Sequence, residues 1–248
     1  MFKIELHNTD LLKSAFKSIG NFIDEINIKM TPEVFLVKTL TDSHAVFTEL
    51  HLDYDMFSIY EVSEETTLNV LSDELMKVLN RIKPSDTLIL TADEGNFIIK
   101  LEGNDATRTF KLKLISEEYE AQEPPEIELP YSCKINTSYL RDAIRDSTIY
   151  SEKLAIKHDE GVNELIFNSE GVNTDLTSKY QVYSIDDAKA DSTYALEYLE
   201  NVIKADKFSD TVKLESGVTT PLKISYIFDY NDSFLSFLIA PRIDNEED

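Results

Sequence analysis

The chain repeats itself at half its own length. Leu75, Val78, Ser85, Asp86, Thr87 and Leu90 recur as Leu199, Val202, Ser209, Asp210, Thr211 and Leu214, each 124 residues on (199 − 75 for the first pair), in a sequence of 248 residues. The same spacing sets Phe110 on Phe234, Leu114 on Leu238 and Ile115 on Ile239. One coincidence of this kind is cheap. A run of them at apolar and turn positions predicts two copies of one structural unit.

Periodicity gives the content of the unit. In the first half, alternating or apolar runs predict strands over Phe2–His7, Ile26–Met30, Val34–Thr39, Ala45–Leu52, Thr67–Val70, Thr87–Thr91, Asn96–Glu102 and Arg108–Ile115. Leu11, Leu12, Ala15, Phe16, Ile19, Phe22 and Ile23 recur at helical spacing behind Asp10, a candidate N-cap. A second helix opens at Ser72–Asp73 with Leu75, Val78, Leu79 and Ile82 on one face and stops at Pro84-Ser85-Asp86. Glu94-Gly95-Asn96 predicts a hairpin turn. In the second half, Lys134–Asn136 reads as a strand, Ser138 opens a helix with Tyr139, Leu140, Ala143 and Ile144, and a last helix runs through Leu196, Leu199, Val202 and Ile203. The acidic stretch 116–125, ending in Pro-Pro, has no periodicity and predicts a linker. Together these predict an α+β chain with a first domain over 1–115, a connecting loop over 116–129 and a second domain over 130–248. Each domain is expected to carry two helices on one face of antiparallel sheets.

Charge narrows the function. Lys plus Arg number 24 against 47 Asp plus Glu, a net −23, so a nucleic acid can be met only where cations are segregated. They are segregated on the helices. Lys13/Lys17, Lys77/Arg81, Arg141/Arg145 and Lys204/Lys207 each lie away from the apolar stripe of a predicted helix. Four such pairs predict one shared surface that admits anions, diluted by Glu74, Asp142, Asp146, Glu197 and Glu200 on the same faces. No aromatic cluster or base-reading arginine accompanies them, which argues against sequence-specific readout and single-strand stacking.

Catalytic patterns are thin. There is no Gly-rich phosphate loop, nucleophile elbow or paired-histidine metal motif. His7, His44, His51 and His158 have no ligand spacing with the one cysteine, Cys133, which also precludes an internal disulfide. Asp53/Asp55 and Asp93/Glu94 fall at strand ends and turns, and residues 229–232 read as a hairpin turn too short for a calcium loop. No metal or cofactor is expected. The charged opening predicts no secretory signal, and the apolar run Phe234–Ala240 is far below the ~20 residues a membrane helix needs.

Several segments resemble one family along the whole chain. They are Met1-Phe2-Lys3, Leu40-Thr41-Asp42-Ser43-His44, Ser85–Leu90, Thr107–Phe110, the acidic linker ending Pro124-Pro125-Glu126-Ile127, and Leu238-Ile239-Ala240-Pro241-Arg242 before an acidic tail. In these the chain is similar to the sliding clamps of the proliferating cell nuclear antigen type, in their archaeal form. The resemblance implies a non-catalytic ring of three subunits, a homo- or hetero-trimer, whose helices face duplex DNA. It implies a clamp loader, and tethering of DNA polymerase, flap endonuclease and DNA ligase through clamp-interacting peptides, in the cytoplasm with the nucleoid.

By the same resemblance the DNA-facing set is Lys13, Lys17, Lys77, Arg81, Arg141, Arg145, Lys204 and Lys207. The peptide pocket is Leu40, His44, Ile127, Leu129, Pro221, Leu238, Ile239, Ala240 and Pro241. Subunit contacts fall on Thr109, Phe110, Lys111, Leu112, Lys113 and Leu114, and on the 173–179 stretch with Asp175, Leu176 and Thr177. Thr41 and Asn80 depart from the family pattern, where an acid and a lysine are usual. Two other readings compete: an acidic interaction scaffold that does not encircle DNA, and a metal-dependent hydrolase using Asp53/Asp55 or Asp93/Glu94.

Overall fold

A computed structural model describes residues 2–115, 123–228 and 231–242. The first half runs β1 (Phe2–Leu6), α1 (Thr9–Ile19), β2 (Glu25–Met30), β3 (Val34–Leu40), β4 (Val46–Asp53), β5 (Ile59–Val62), β6 (Thr66–Leu71), α2 (Ser72–Leu79), β7 (Thr87–Asp93), β8 (Asn96–Glu102) and β9 (Thr107–Lys113). The second runs β10 (Tyr131–Asn136), α3 (Thr137–Ser147), β11 (Lys153–His158), β12 (Glu164–Glu170), β13 (Asp175–Gln181), β14 (Ser184–Asp186), β15 (Ala190–Ala195), α4 (Leu196–Val202), β16 (Thr211–Ser216), β17 (Leu222–Ile227) and β18 (Phe234–Ile239). The two halves match element for element, the architecture the repeat predicts.

The ladders correct its register. Leu90 pairs with Ile99 and Ile99 with Phe110, while Leu214 pairs with Ile224 and Ile224 with Phe237. So Leu90 does fall on Leu214, but Ile99 falls on Ile224 (224 − 99 = 125) and Phe110 on Phe237 (237 − 110 = 127). Longer hairpins in the second half absorb the extra residues. The expected matches of Phe110 with Phe234, Leu114 with Leu238 and Ile115 with Ile239 are therefore out of register.

Helix ends differ from expectation in small ways. α1 starts at Thr9, which leaves Asp10 inside the first turn, where its charge complements the helix dipole. Asn136, not Ser138, caps α3, its side chain accepting from the Ser138 N–H at 2.8 Å. α2 ends at Leu79, short of Ile82. The short edge strands β5 and β14 carry too little alternation to be seen in sequence.

The strands form a five-stranded sheet (β5-β1-β7-β8-β9), a four-stranded sheet (β13-β12-β11-β15) and a nine-stranded sheet (β14-β10-β16-β17-β18-β4-β3-β2-β6). The last crosses between the halves where β18 pairs with β4, Phe237 opposite Thr48 and Leu238 opposite Phe47. The four helices lie together, α1 against α2 and α4, and α3 against α4. The Ser18 hydroxyl on α1 donates to the Asn201 carbonyl at 2.7 Å and ties the two halves at the helix layer. Leu12, Ala15, Leu75, Leu140, Ile144 and Leu199 are fully buried beneath them. Burying each of these leucine and isoleucine side chains contributes about 1.5–3 kcal/mol.

Candidate functional site

Three of the eight expected cations converge, while Arg81, Lys204 and Lys207 lie just past the helices on which the sequence puts them. α1, α3 and the turn after α4 bring Lys17, Arg145 and Lys204 to a single hollow of about 380 Å³, with Glu200 and Asp206 in its wall. Partial burial, and then the charge of Lys17, push the Lys204 ammonium below the ordinary lysine range. Not every cation is available. Lys77 is paired to Glu74 at 2.7 Å, and Arg141 to Asp142 at 3.1 Å and Asp206 at 3.5 Å. Lys13 reaches the Ile82 carbonyl at 3.5 Å. Lys17, Arg81, Arg145 and Lys207 are exposed with no acidic partner among the described residues.

A second feature lies on the sheet near the β18–β4 joint. Leu40, Phe47, Leu238, Lys223 and Glu215 stand on one rung across five strands. Pro124, Pro125, Ile127 and Leu129 meet Phe47 and Leu238 over a hollow of about 300 Å³. Ile127 is 40% exposed on its extended segment. Phe47 was missed in the sequence because Val46 and Phe47 are both apolar, so alternation does not say which faces outward.

Among the other expected pocket residues, Ala240 is exposed at the strand end, its N–H donating to the Ala45 carbonyl at 2.8 Å, and Pro221 and Pro241 are half-buried. His44 is exposed in the β3–β4 turn at φ 57°, and buried Thr41 holds that turn by accepting from the Ala45 and Val46 N–H groups at 3.1 Å. Ile239 is a correction. It is fully buried, and a one-residue step along β18 turns it to the opposite face from Leu238. Leu40 stands at the end of the rung but does not line the hollow under Ile127; it borders a larger one of about 800 Å³ near α4, rimmed by Asp24, Asp42, Asp73 and Glu197, a surface that repels phosphate.

The carboxylate pairs are turn chemistry. Asp53 accepts from the Asp232 N–H at 3.1 Å and Asp55 from the Asn231 amide at 3.0 Å, so both brace the β17–β18 connection; residues 229–230 lie outside the described residues. The Asn96 amide, and less strongly Lys111, hold Asp93 below the usual carboxylate range. No three His, Cys, Asp or Glu side chains among the described residues converge on a metal-sized site. Burial pushes the Cys133 thiol up to about 11, the wrong direction for a nucleophile. No described helix is long and apolar enough to cross a membrane. Residues 116–122 of the expected linker and 243–248 of the acidic tail lie outside the described residues.

The expected contact strands are open edges. β9 ends the five-stranded sheet and β13 the four-stranded sheet, with Thr109, Lys111, Lys113, Asp175 and Thr177 exposed, Phe110 and Leu176 half-buried, and Leu112 buried. Leu114 lies just past β9, its N–H donating to the Gly95 carbonyl at 3.1 Å.

Residues 1–122 match the family model described as proliferating cell nuclear antigen, N-terminal domain. A DNA polymerase sliding clamp of Methanothermobacter thermautotrophicus is 39% identical over 247 residues, covering all of both chains, and one of Methanobrevibacter smithii is 38% identical over the same span. In structure the chain is similar to PCNA from Thermococcus kodakaraensis, with a TM-score of 0.90 at 24% identity over 98% of this chain and all of that one. It is also similar to a chain of the PCNA2–PCNA3 complex from Sulfolobus tokodaii, with a TM-score of 0.88 at 25% identity over 97% of this chain and 99% of that one.

Proposed function

The chain belongs to the proliferating cell nuclear antigen family, and from that premise we propose that it is a DNA polymerase sliding clamp, a processivity factor that encircles duplex DNA and tethers the polymerase to it. It acts as a tether, not a catalyst. Flap endonuclease, DNA ligase and a clamp loader are the further partners this reading assigns, and proximity to the nucleoid follows from the substrate. The units behind it are a first domain over 1–115, a connecting loop over 116–129 and a second domain over 130–248.

The observation that carries the ring is a joint made once inside the chain and left open twice outside it. β18 pairs with β4 between the halves. Their repeat counterparts, β9 and β13, are both edges with no further strand beside them among the described residues. An open edge invites another strand, and a head-to-tail contact that closes makes a ring. Copying the internal joint onto the edges also fixes a register. Phe237 corresponds to Phe110 and Thr48 to Leu176 (176 − 48 = 128, the same step that relates Leu52 to Tyr180 through their partners Phe35 and Leu165). Phe110 of one subunit then faces Leu176 of the next, Lys111 faces Asp175, and Thr109 faces Thr177. The opposed charge at Lys111–Asp175 fits three copies of this same chain.

The helix layer with Lys13, Lys17, Lys77, Arg81, Arg141, Arg145, Lys204 and Lys207 lines the hole in this reading. The Leu40–Phe47–Leu238 rung under Ile127 and Leu129 takes partner peptides. Light scattering on the purified chain should give three times the 28.4 kDa subunit mass. Leu176→Glu, which sets a charge against Phe110, should give monomers with an unchanged circular dichroism spectrum. A monomeric wild-type chain at micromolar concentration would count against the ring.

A further inference from the structure

Natural sheets blunt their edges with charge, and the two halves do this differently. In β5 the exposed edge position is Glu61, opposite Lys3 on β1. The counterpart strand β14 keeps an acid there, Asp186 opposite Ser132, but a register shift beside it leaves Ile185 bulged and 55% exposed, preceded by Tyr183 at 84%. Val162, 44% exposed, sits in the β11–β12 turn beside it, where the Val182 N–H donates to the Asn163 carbonyl at 3.2 Å. β14 pairs with β10 on one side and with no described strand on the other. The proposed ring leaves it free, because β14 ends the nine-stranded sheet that already contains the β18–β4 joint, and the joint between copies uses β9 and β13.

This edge is also held rigidly. The ring of His158, fully buried, places Nδ1 2.9 Å from the Glu164 carbonyl and Nε2 2.7 Å from Asp187 Oδ1. It stacks on Tyr131 with centroids 4.3 Å apart. The Gly161 N–H donates to the other Asp187 oxygen at 3.0 Å, and the Ser132 hydroxyl to Asp186 at 2.7 Å. A buried histidine spent on fixing a solvent-exposed strand means that ordering costs are met before any partner arrives.

We propose that β14 is a strand-addition site for an extended segment of a protein partner with aliphatic β-branched side chains alternating with lysine or arginine. Strand addition supplies main-chain bonds, and Tyr183, Ile185 and Val162 supply the apolar contact. Charge chooses the partner. Asp159, Glu160, Asp186 and Asp187 surround the edge against the lone cation Lys189 in segments 159–162 and 183–189, which favours a basic segment and disfavours a second copy of this chain. β14 lies four strand spacings, roughly 19 Å, from Leu238 on β18, and two, roughly 10 Å, from Glu215 at the near end of the pocket rung, so the apolar floor of the pocket stays clear of an added strand.

The test uses the full-length chain at about 0.15 M salt and a synthetic octapeptide of four Lys-Val repeats, with a Glu-Val octapeptide as control. The Lys-Val peptide should slow amide hydrogen exchange within 183–187, and the double variant Tyr183→Ala/Ile185→Lys, which removes the apolar contact and adds a like charge, should lower its affinity at least tenfold with the melting temperature unchanged. Protection that is absent from 183–187, that is equal for the Glu-Val peptide, or that survives the double variant would overturn the proposal. So would concentration-dependent protection of 183–187 without peptide, which would make this edge a contact between copies.

Discussion

At the residue scale, two side chains show how position decides what a substitution does. Asp86 is buried in the turn after α2, where it accepts from the Lys83 N–H at 2.7 Å and from Arg108 on β9. The Lys83 bond, then the Arg108 charge, hold its carboxyl below the usual range against the opposing effect of burial. A carboxyl lowered in the folded state stabilises above the unfolded value of about 4, and that stability is lost as pH falls through the folded value. Asp86→Asn should therefore lower the melting temperature at pH 7, with a gap from wild type that narrows toward pH 3; a pH-independent gap would assign the effect to packing. Ile127 is the opposite case, partly exposed on an extended segment. Ile127→Ala should weaken binding of a peptide with one aliphatic and two aromatic anchors by roughly 1–2 kcal/mol, as truncating a binding hot spot does. The melting temperature should barely move. Calorimetry showing unchanged affinity with a melting temperature several degrees lower would make Ile127 core and displace the pocket.

At the element scale, the proposed joint between β9 and β13 turns on a register that can be tested by exchange. Lys111→Glu and Asp175→Lys should each weaken assembly, and the double exchange should recover much of it, because opposite charges facing across strands contribute roughly 0.2–1 kcal/mol and like charges oppose. Additive losses measured by analytical ultracentrifugation would refute the register. The elements of the first half were largely legible, and those of the second half mainly through the repeat. β9 alternates Arg108, Phe110 and Leu112 against Thr109, Lys111 and Lys113, and α1 keeps Leu12, Ala15 and Ile19 on one arc, so period alone identifies both. Register was not legible past Leu90, because hairpin length varies between the halves without disturbing the apolar pattern. Facing was not legible for Phe47 or Ile239, where adjacent residues are both apolar and a one-residue step reverses the face. The cation pairs were visible in sequence, but not that Glu74, Asp142 and Asp206 engage Lys77 and Arg141, since Asp206 comes from another element.

At the scale of the whole molecule, the proposed tether needs a surface that tolerates DNA without gripping it. A chain of net −23 meets that need with local cations whose number is small. Lys77 and Arg141 are engaged by acids, and Glu200 and Asp206 share the hollow of Lys17, Arg145 and Lys204. Lys17, Arg81, Arg145 and Lys207 remain, so at most about four phosphates are neutralised per subunit. Counterion release then gives a slope of log affinity against log salt no steeper than about −3.6 per subunit, and binding to short linear duplex on the order of the non-specific range, 10⁻⁴–10⁻⁶ M. Retention on closed circular DNA should be far longer, because escape requires the ring to open and not merely its phosphate contacts to break. Raising salt should strip the protein from linear duplex while leaving it on circles, and cutting the circle should release it. Lys17→Glu with Arg145→Glu should reduce loading onto circles while light scattering still reports three subunits. A steep salt slope, or the same lifetime on linear and circular DNA, would mean that contacts and not topology hold the DNA, and the helix layer would then be a binding site in its own right.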